Sequence, residues 1–187
     1  MEKELMQILE DIWTNQISKT YNQGLLCSER QLQAEFYHHL KAEKYNDYTV
    51  WLEPVLEIRE NPLLHHKKPD IMISKDNEIV GVIELKYNLE KGINVTNDFE
   101  KLKAFSTLNG DTKIPLYTDI TNGNWDNDKN FSFSKDLILI FAVIAWEDVE
   151  ALNTKALNEK KSFKHKNMYH LIGSVNKDTT NFKLNKF

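Results

Sequence analysis

Apolar residues recur at intervals of three and four positions in three stretches of the chain, which predicts three helices. The first stretch runs from Leu5 to Trp13, the second follows Ser28, and the third runs from Val95 to Phe105. Ser28 is a good N-cap, because its hydroxyl can accept a hydrogen bond from an amide of the first turn. The second helix is therefore expected to begin directly after Ser28.

Short segments that are apolar throughout, or rich in β-branched and aromatic residues, predict strands. They cover residues 48–60, 70–74, 78–87, 137–146 and 168–175. The segment 48–60 is predicted as one strand despite Pro54. The polar residues 75–77 separate two of these segments, which predicts a hairpin. The continuous apolar run 137–146 is typical of a central strand that is buried on both faces.

The predicted elements follow the order helix, three strands, helix, strand, with an extra helix in front. This order indicates an α/β fold with a mixed central sheet flanked by helices. No repeat or Pro- and Gly-rich linker divides the chain, so one domain is expected over residues 1–187. The Asn- and Asp-rich connection 111–134, which contains Tyr117 and Trp125, is long for a compact domain. It is a substrate loop, a disordered insertion, or structure that the pattern does not reveal.

The composition is that of an intracellular globular protein. Apolar residues make up 41% of the chain, which is enough for a core without disulfides. Cys27 is the single cysteine, so an internal disulfide framework is excluded and a cytoplasmic location is expected. The acidic N-terminus does not resemble a secretory signal. The longest apolar run is shorter than the ~20 residues that a membrane span requires, so no membrane partner is expected.

The charge is unevenly distributed along the chain. The net charge is −4, yet residues 155–187 contain eight lysines and only two acidic residues, Glu159 and Asp178. A phosphate-binding surface and a solvated lysine-rich tail both agree with this distribution.

The chemistry of the predicted hairpin lies at its open end. If the turn is centred on Asn77, Asp70 lies opposite Glu84, with Cα atoms ~4.5–5.5 Å apart. Glu84 and Lys86 then project from the same face, because side chains alternate along a strand. The opposite face is apolar and consists of Ile71, Ile73, Ile79, Gly81, Ile83 and Leu85. Two carboxylates and an ammonium are thus expected together at one end of an apolar sheet.

Two carboxylates that share one partly buried place repel each other, so a cation is expected between them. Oxygen ligands without Cys or His suit Mg²⁺ or Mn²⁺. Such an ion acidifies a bound water and neutralises charge on phosphate oxygens, which points to phosphodiester hydrolysis with Lys86 beside the attacking water. The simpler interpretation is an ordinary ion pair between Lys86 and Glu84. The acid–x–Lys triplet also recurs at 111–113 and 159–161.

Helical geometry predicts that Glu29 faces the same site. At about 100° per residue, Glu29 lies within about 20° of Phe36 and Leu40 on the apolar stripe of the second helix. An acidic residue on such a stripe usually needs a partner. The alternative is that a carboxylate is simply favourable at a helix N-terminus. Glu57 is expected to face Asp70 as well, if residues 58–69 form a return loop.

The pair Pro69-Asp70, followed by Glu84-Leu85-Lys86, resembles the motif of the PD-(D/E)XK nuclease superfamily, which has the restriction endonuclease-like fold. The helix after Ser28 precedes the motif and the helix with Lys101 follows it. The resemblance covers about residues 28–146 in the family's αβββαβ order. It leaves the first helix, the connection 111–134 and the lysine-rich segment unassigned.

The resemblance implies roles for individual residues. Asp70 and Glu84 would bind the metal together with the Leu85 carbonyl, and Lys86 would be the catalytic lysine. Glu29 resembles an acidic residue that many members carry on the first core helix. Lys101 resembles a basic residue often found on the helix after the motif.

The implied function is a cytoplasmic Mg²⁺- or Mn²⁺-dependent nuclease, with DNA as the favoured substrate, in a bacterial restriction, repair, defence or mobile-element system. The alternative is a catalytically inactive nuclease-fold subunit of a larger nucleic-acid-processing complex, which the acidic net charge favours. RNA as substrate, sequence specificity and endo- against exonuclease action stay open. A homodimer is natural for an enzyme that cuts both strands of a duplex.

Other motifs leave open alternatives. His65 to Lys68 could contact phosphates or lie in a solvated loop, and Tyr117 and Trp125 could stack on unpaired bases or pack within their loop. His165 and His170 lack the spacing of a metal site.

Overall fold

The computed structural model describes residues 2–42, 45, 47–60, 63–89, 94–108, 113–115, 130–161, 165–175 and 180–186. The helices are α1 (Glu2–Asp11), α2 (Ser18–Asn22), α3 (Glu29–Leu40), α4 (Thr96–Ser106) and α5 (Val149–Lys160). A π-helical segment over Ile12–Ile17 joins α1 to α2. Ser28 caps α3 as predicted, since its hydroxyl accepts the Gln31 N–H at 3.2 Å.

The strands are β1 (Thr49–Leu52), β2 (Leu56–Glu60), β3 (Leu63–Lys67), β4 (Ile71–Lys75), β5 (Glu78–Asn88), β6 (Lys113–Pro115), β7 (Asn130–Ala145), β8 (Met168–Val175) and β9 (Thr180–Lys186). Seven of them form the main sheet, in which six follow the order β1-β4-β5-β7-β8-β9. The pairs β5–β7 and β7–β8 are parallel, and the other pairs along this path are antiparallel. The short β6 pairs with the beginning of β7. The predicted α/β fold with a mixed sheet flanked by helices is confirmed.

Each face of the sheet is covered by helices and carries its own apolar core. On the first face, α1, the π-helical segment and α3 pack on alternate strand residues; this core includes Leu5, Trp13, Phe36, Ile71, Ile83, Leu85 and Ile140. On the second face, α4 and α5 cover the remaining residues; this core includes Met72, Val82, Phe99, Phe105, Leu139 and Phe141. The central strand β7 is buried from Leu137 to Ala145 on both faces, as its continuous apolar run predicts.

A β-bulge sets the register of the β4–β5 hairpin. Near the turn Ser74 pairs with Ile79, whereas beyond it Ile73 pairs with Gly81, so Val80 is the extra residue. The turn itself has two central residues and places Asp76 at φ 54°. The bulge therefore restores, at the open end, the register that a turn centred on Asn77 predicts.

The bulge also changes which face its residues occupy. Val80 packs in the first core together with Ile83, whereas Ile79 packs in the second core. The prediction that Ile79 shares a face with Ile83 and Leu85 is therefore wrong. It assumed strict alternation, and the extra residue reverses the alternation for the part of β5 that precedes it.

The segment 48–60 is not one strand but two. Glu53 has a positive φ of 47° and precedes Pro54, so the chain leaves the sheet after β1. β2 and β3 then form a separate hairpin in which Glu57 lies opposite His66. The strand partner of Glu57 is therefore His66 and not Asp70, and residues 65–67 form a strand, where a solvated loop was the alternative.

The lysine-rich end of the chain is largely part of the fold. It contributes the second half of α5, β8 and β9, and the predicted strand 168–175 is confirmed as β8. Sequence patterning missed α5 because few of the side chains described for it are buried; Leu152 and Ala156 are buried, whereas Leu157 is 46% exposed. The connection 111–134 contains β6 and the start of β7, while Tyr117 and Trp125 lie outside the described residues. Among the helices described, none has both the length and the apolar character needed to cross a membrane.

Gly173 provides a test of packing between β7, β8 and β9. A Cβ atom at this position would lie 2.9 Å from Ile144 Cγ1 and 2.9 Å from Phe182 Cε1, which is closer than real Cβ contacts. We expect Gly173→Ala to lower the free energy of unfolding by about 1–3 kcal/mol through overpacking. Urea denaturation followed by circular dichroism would measure this change.

Gly81→Ala is the matched control, since a Cβ there would lie 3.5 Å from Leu5 Cδ2, an ordinary contact. Its effect on the free energy of unfolding should be within about 1 kcal/mol. Equal losses in the two variants would contradict the packing described for β8.

Candidate active site

The candidate site lies where β5 extends past the end of β4. Ile71, the first residue of β4, pairs with Ile83, so residues 84–88 of β5 have β7 on one side but no described strand on the other. Asp70 stands at this boundary. Its carbonyl oxygen accepts hydrogen bonds from Gln33 Nε2 at 2.7 Å and from the Glu53 N–H at 3.0 Å. Helix α3 and the chain after β1 therefore fix its position.

Two carboxylates take the place of the missing strand. The Leu85 N–H donates to Asp70 Oδ2 at 2.6 Å, and the Tyr87 N–H donates to Glu29 Oε2 at 3.3 Å. The β4–β5 pairing ends at Ile71 and Ile83; the same register continued by two residues would bring Leu85 to Pro69, whose nitrogen carries no hydrogen. Because the N–H and C=O of a strand residue point to the same side, the Leu85 carbonyl faces this opening and cannot receive a ladder hydrogen bond from Pro69.

Glu84 is fully buried beside this opening. Lys101 Nζ donates to its Oε2 at 2.7 Å, whereas Oε1 is buried and has no hydrogen-bond partner among the described residues. Burial, and then repulsion from Asp70, raise the pKa of Glu84 from 4.5 to about 9, while Lys101 acts in the opposite direction. The structure therefore brings Asp70 and Glu84 close enough to repel each other.

Lys86 contacts an acidic residue of α4. Its Nζ lies 3.6 Å from Asp98 Oδ2, and its side chain is 31% exposed. Burial raises the pKa of Asp98, and the ammonium groups of Lys86 and Lys101 oppose this rise. The simpler interpretation of the sequence, an ion pair between Lys86 and Glu84, does not hold, because the ammonium that contacts Glu84 belongs to Lys101.

Helix α4 thus supplies one partner to each of two charged residues of β5. Lys101 pairs with Glu84, and Asp98 pairs with Lys86. The resemblance pointed to Lys101, but sequence reasoning missed Asp98, which is 7% exposed. The signal was present, since Asp98 lies within about 20° of Phe105 on the helix, the same angular test that indicated Glu29. An aspartate in the first turn of a helix is common, so its position alone did not predict a role in the site.

Glu29 points toward the site from α3, as predicted. Its carboxylate is half-buried, and burial raises its pKa, while the hydrogen bond from the Tyr87 N–H and the charge of Lys86 lower it. Glu29 is also the first residue of α3, so the favourable helix position and the contact with β5 occur together.

The charged groups of the site do not balance. Four carboxylates and two ammonium groups act on one another here, which gives a formal charge of −2 when every group is counted as ionised; they are Glu29, Asp70, Glu84, Asp98, Lys86 and Lys101. Within the described part of the chain, no three side chains of metal-binding type converge on one point. Two carboxylates and one carbonyl remain as donors, which fits Mg²⁺ or Mn²⁺, because Mg²⁺ often takes one or two carboxylates and keeps several waters.

The two histidines of the C-terminal region have structural environments. His170 is fully buried beside Phe141, with ring centroids 5.4 Å apart, and burial lowers its pKa to about 3. His165 Nε2 lies 2.9 Å from the Leu137 carbonyl oxygen. Lys68, from the basic segment before Asp70, forms an ion pair with Glu53.

The geometry of the site is what bears on its function. No protein-family model matches the chain, and no curated protein and no solved structure matches it either.

Proposed function

We propose that the protein is a metal-dependent nuclease that hydrolyses phosphodiester bonds, with DNA as its favoured substrate and Mg²⁺ or Mn²⁺ as its cofactor. The observation that carries this proposal is the buried, unpartnered Oε1 of Glu84 beside Asp70, in a site whose formal charge is −2. A buried carboxylate with a free oxygen is costly unless a proton or a cation joins it. A divalent ion would offset the whole formal charge.

The order of elements around the site supports a restriction endonuclease-like core. α3 is followed by β1, β4 and β5, then by α4, and then by β7, which runs parallel to β5. This is the αβββαβ order of the PD-(D/E)XK superfamily that the sequence motif resembles. The β2–β3 hairpin is an insertion between the first two strands of that core.

Asp70, Glu84 and the Leu85 carbonyl are the groups that would hold the ion. When bound, such an ion supplies an acidified water and neutralises charge on the phosphate oxygens. Lys86 lies on the same face of β5 as Glu84 and its side chain is partly exposed, so its ammonium could donate to the attacking water or to a phosphate oxygen. Asp98 restrains Lys86, and Glu29 accepts the Tyr87 N–H, so both keep the strand edge in place.

A second function is favoured by the Lys101 contact. Because an ammonium already lies 2.7 Å from Glu84 Oε2, the site is partly compensated without any metal. A nuclease-fold subunit without catalysis, acting inside a larger nucleic-acid-processing complex, agrees with this observation. Metal binding separates the two functions.

Asp70→Asn should abolish cleavage while preserving the fold. The asparagine keeps an oxygen for the Leu85 N–H but removes the charge that would bind the ion. We expect cleavage of plasmid DNA to fall by about 10³-fold or more, which corresponds to roughly 4 kcal/mol. Single-stranded DNA and RNA, assayed in parallel, would define the substrate.

Asp76→Asn is the control, since Asp76 is exposed in the turn at the other end of the same hairpin. It should cleave like the wild type. Normal cleavage by a stably folded Asp70→Asn variant would contradict the proposal.

Mg²⁺ or Mn²⁺ should bind at one site and release protons. Since Glu84 holds a proton below pH about 9, and ligands must be deprotonated to bind a metal, each ion should displace up to about one proton at pH 7. Calorimetric titration in two buffers of different ionisation enthalpy measures this number. Absence of binding at millimolar metal would favour the inactive subunit.

Glu84→Gln should change how stability depends on pH in the metal-free protein. Glu84 keeps its proton up to pH about 9 in the folded state, against an ordinary pKa of 4.5. The folded state therefore binds more protons between these values, and the wild type loses stability as pH rises, by at most about 1.4 kcal/mol per pH unit from this group. Glu84→Gln removes this loss. The free energy of unfolding of the variant, relative to that of the wild type, should therefore rise from pH 5 to pH 9.

Urea unfolding in EDTA at pH 5, 7 and 9 would measure the difference in free energy of unfolding. Glu78→Gln, at the other end of β5 and half-buried, is the control and should follow the wild type at each pH. A constant difference between Glu84→Gln and the wild type would show that Glu84 is not held in its protonated form.

A further inference from the structure

We propose that Lys101 is a positioning residue, which holds Oε2 of Glu84 and thereby presents Oε1 alone to the divalent ion. This inference rests on the proposed function, since it assigns a role to a residue that does not itself contact the ion. It follows from a difference between the two carboxylate oxygens of Glu84, of which only one accepts a hydrogen bond from a described residue.

The two oxygens of Glu84 are both buried but differ in their hydrogen-bond partners among the described residues. Oε2 receives the Lys101 ammonium at 2.7 Å, whereas Oε1 is buried and unpartnered. A carboxylate fixed through one oxygen cannot rotate freely, so the other oxygen keeps one direction. Groups that bind a ligating carboxylate from behind usually set its orientation in this way.

Lys101 has no need to leave when an ion arrives. The free oxygen is Oε1, and the formal charge of the site is −2 with Lys101 already counted. The side chain of Lys101 extends from α4 and is 37% exposed, and its ammonium contacts the buried carboxylate of Glu84. The helix therefore holds this contact independently of β4 and Asp70.

The opposite role, a competitor that blocks the site, predicts the opposite sign. Repulsion between an ammonium and a divalent ion means that removal of a competitor would tighten metal binding. Removal of a positioning residue would weaken it, by about 10- to 100-fold. The sign of the change in affinity therefore separates the two roles.

The experiment is a Mn²⁺ titration by calorimetry of the wild type, Lys101→Met, Lys101→Gln and Lys101→Arg. Affinity should fall by about 10- to 100-fold in Lys101→Met. It should fall less in Lys101→Gln, which retains a hydrogen-bond donor, and should be largely restored in Lys101→Arg. The graded series keeps the result interpretable if one variant folds poorly.

Lys103→Met is the matched control. Lys103 lies on the same helix, is 39% exposed and pairs with Glu100 at 3.6 Å, so its replacement removes the same charge at a similar exposure. It should bind Mn²⁺ like the wild type. Unchanged or tighter binding by Lys101→Met and Lys101→Gln would overturn the positioning role.

The two proposals fail in different ways. If the wild type does not bind Mn²⁺ at millimolar concentration, the nuclease function fails and this inference fails with it. If the wild type binds and Lys101→Met binds equally well, only the role of Lys101 fails. A crystal structure of the Mn²⁺ complex should still show the Lys101 ammonium on Oε2, and displacement of that ammonium to solvent would also overturn the role.

Discussion

The organisation of the site depends on the backbone hydrogen bonds of β5 beyond the end of β4. Amide groups at the margin of a sheet need acceptors, and an unpaired amide that is withdrawn from water is costly. Carboxylates of Asp70 and Glu29 accept the N–H groups of Leu85 and Tyr87, where a neighbouring strand would otherwise supply carbonyl oxygens. The hydrogen-bonding requirement of the main chain thus brings negative charge together at one place.

This arrangement stores electrostatic repulsion in a small volume. Glu84 is fully buried, and its neighbours include a second carboxylate at the strand end and a third on α4. The two lysines pair with only two of the four carboxylates, Glu84 and Asp98, and below pH about 9 a proton on Glu84 relieves part of the remaining repulsion. The fold tolerates this cost because the two apolar cores on either side of the sheet hold β5 firmly. Such unfavourable charge at an otherwise well-packed sheet is more typical of functional sites than of structural ones.

Much of the fold could be predicted from the sequence, and the failures have identifiable causes. Helical periodicity located α1, α3 and α4, which bury a stripe of apolar side chains, and a continuous apolar run located the central strand β7, which is buried on both faces. α5 was not predicted because few of its described side chains are buried, and the β2–β3 hairpin was not predicted because Pro54 was interpreted as a tolerated interruption of one strand. At the site, alternation predicted the shared face of Glu84 and Lys86, whereas the proximity of Asp70 and Glu84 also required the register of a turn centred on Asn77, which the bulge at Val80 restores. Asp98 depends on the angle at which α4 crosses the sheet, which a one-dimensional pattern does not contain.

The bulge at Val80 has a consequence for how this protein can change. A two-residue turn continued without the bulge would place Asp70 across from Ile83, and Glu84 would then lie on the other side of the sheet. The length of the turn and the bulge thus set the register of β4 and β5 together. A single insertion or deletion between them would place the side chains of Asp70 and Glu84 on opposite faces of the sheet. Lineages that lengthen or shorten this segment should therefore do so in compensating pairs, which can be recognised in any set of homologous sequences.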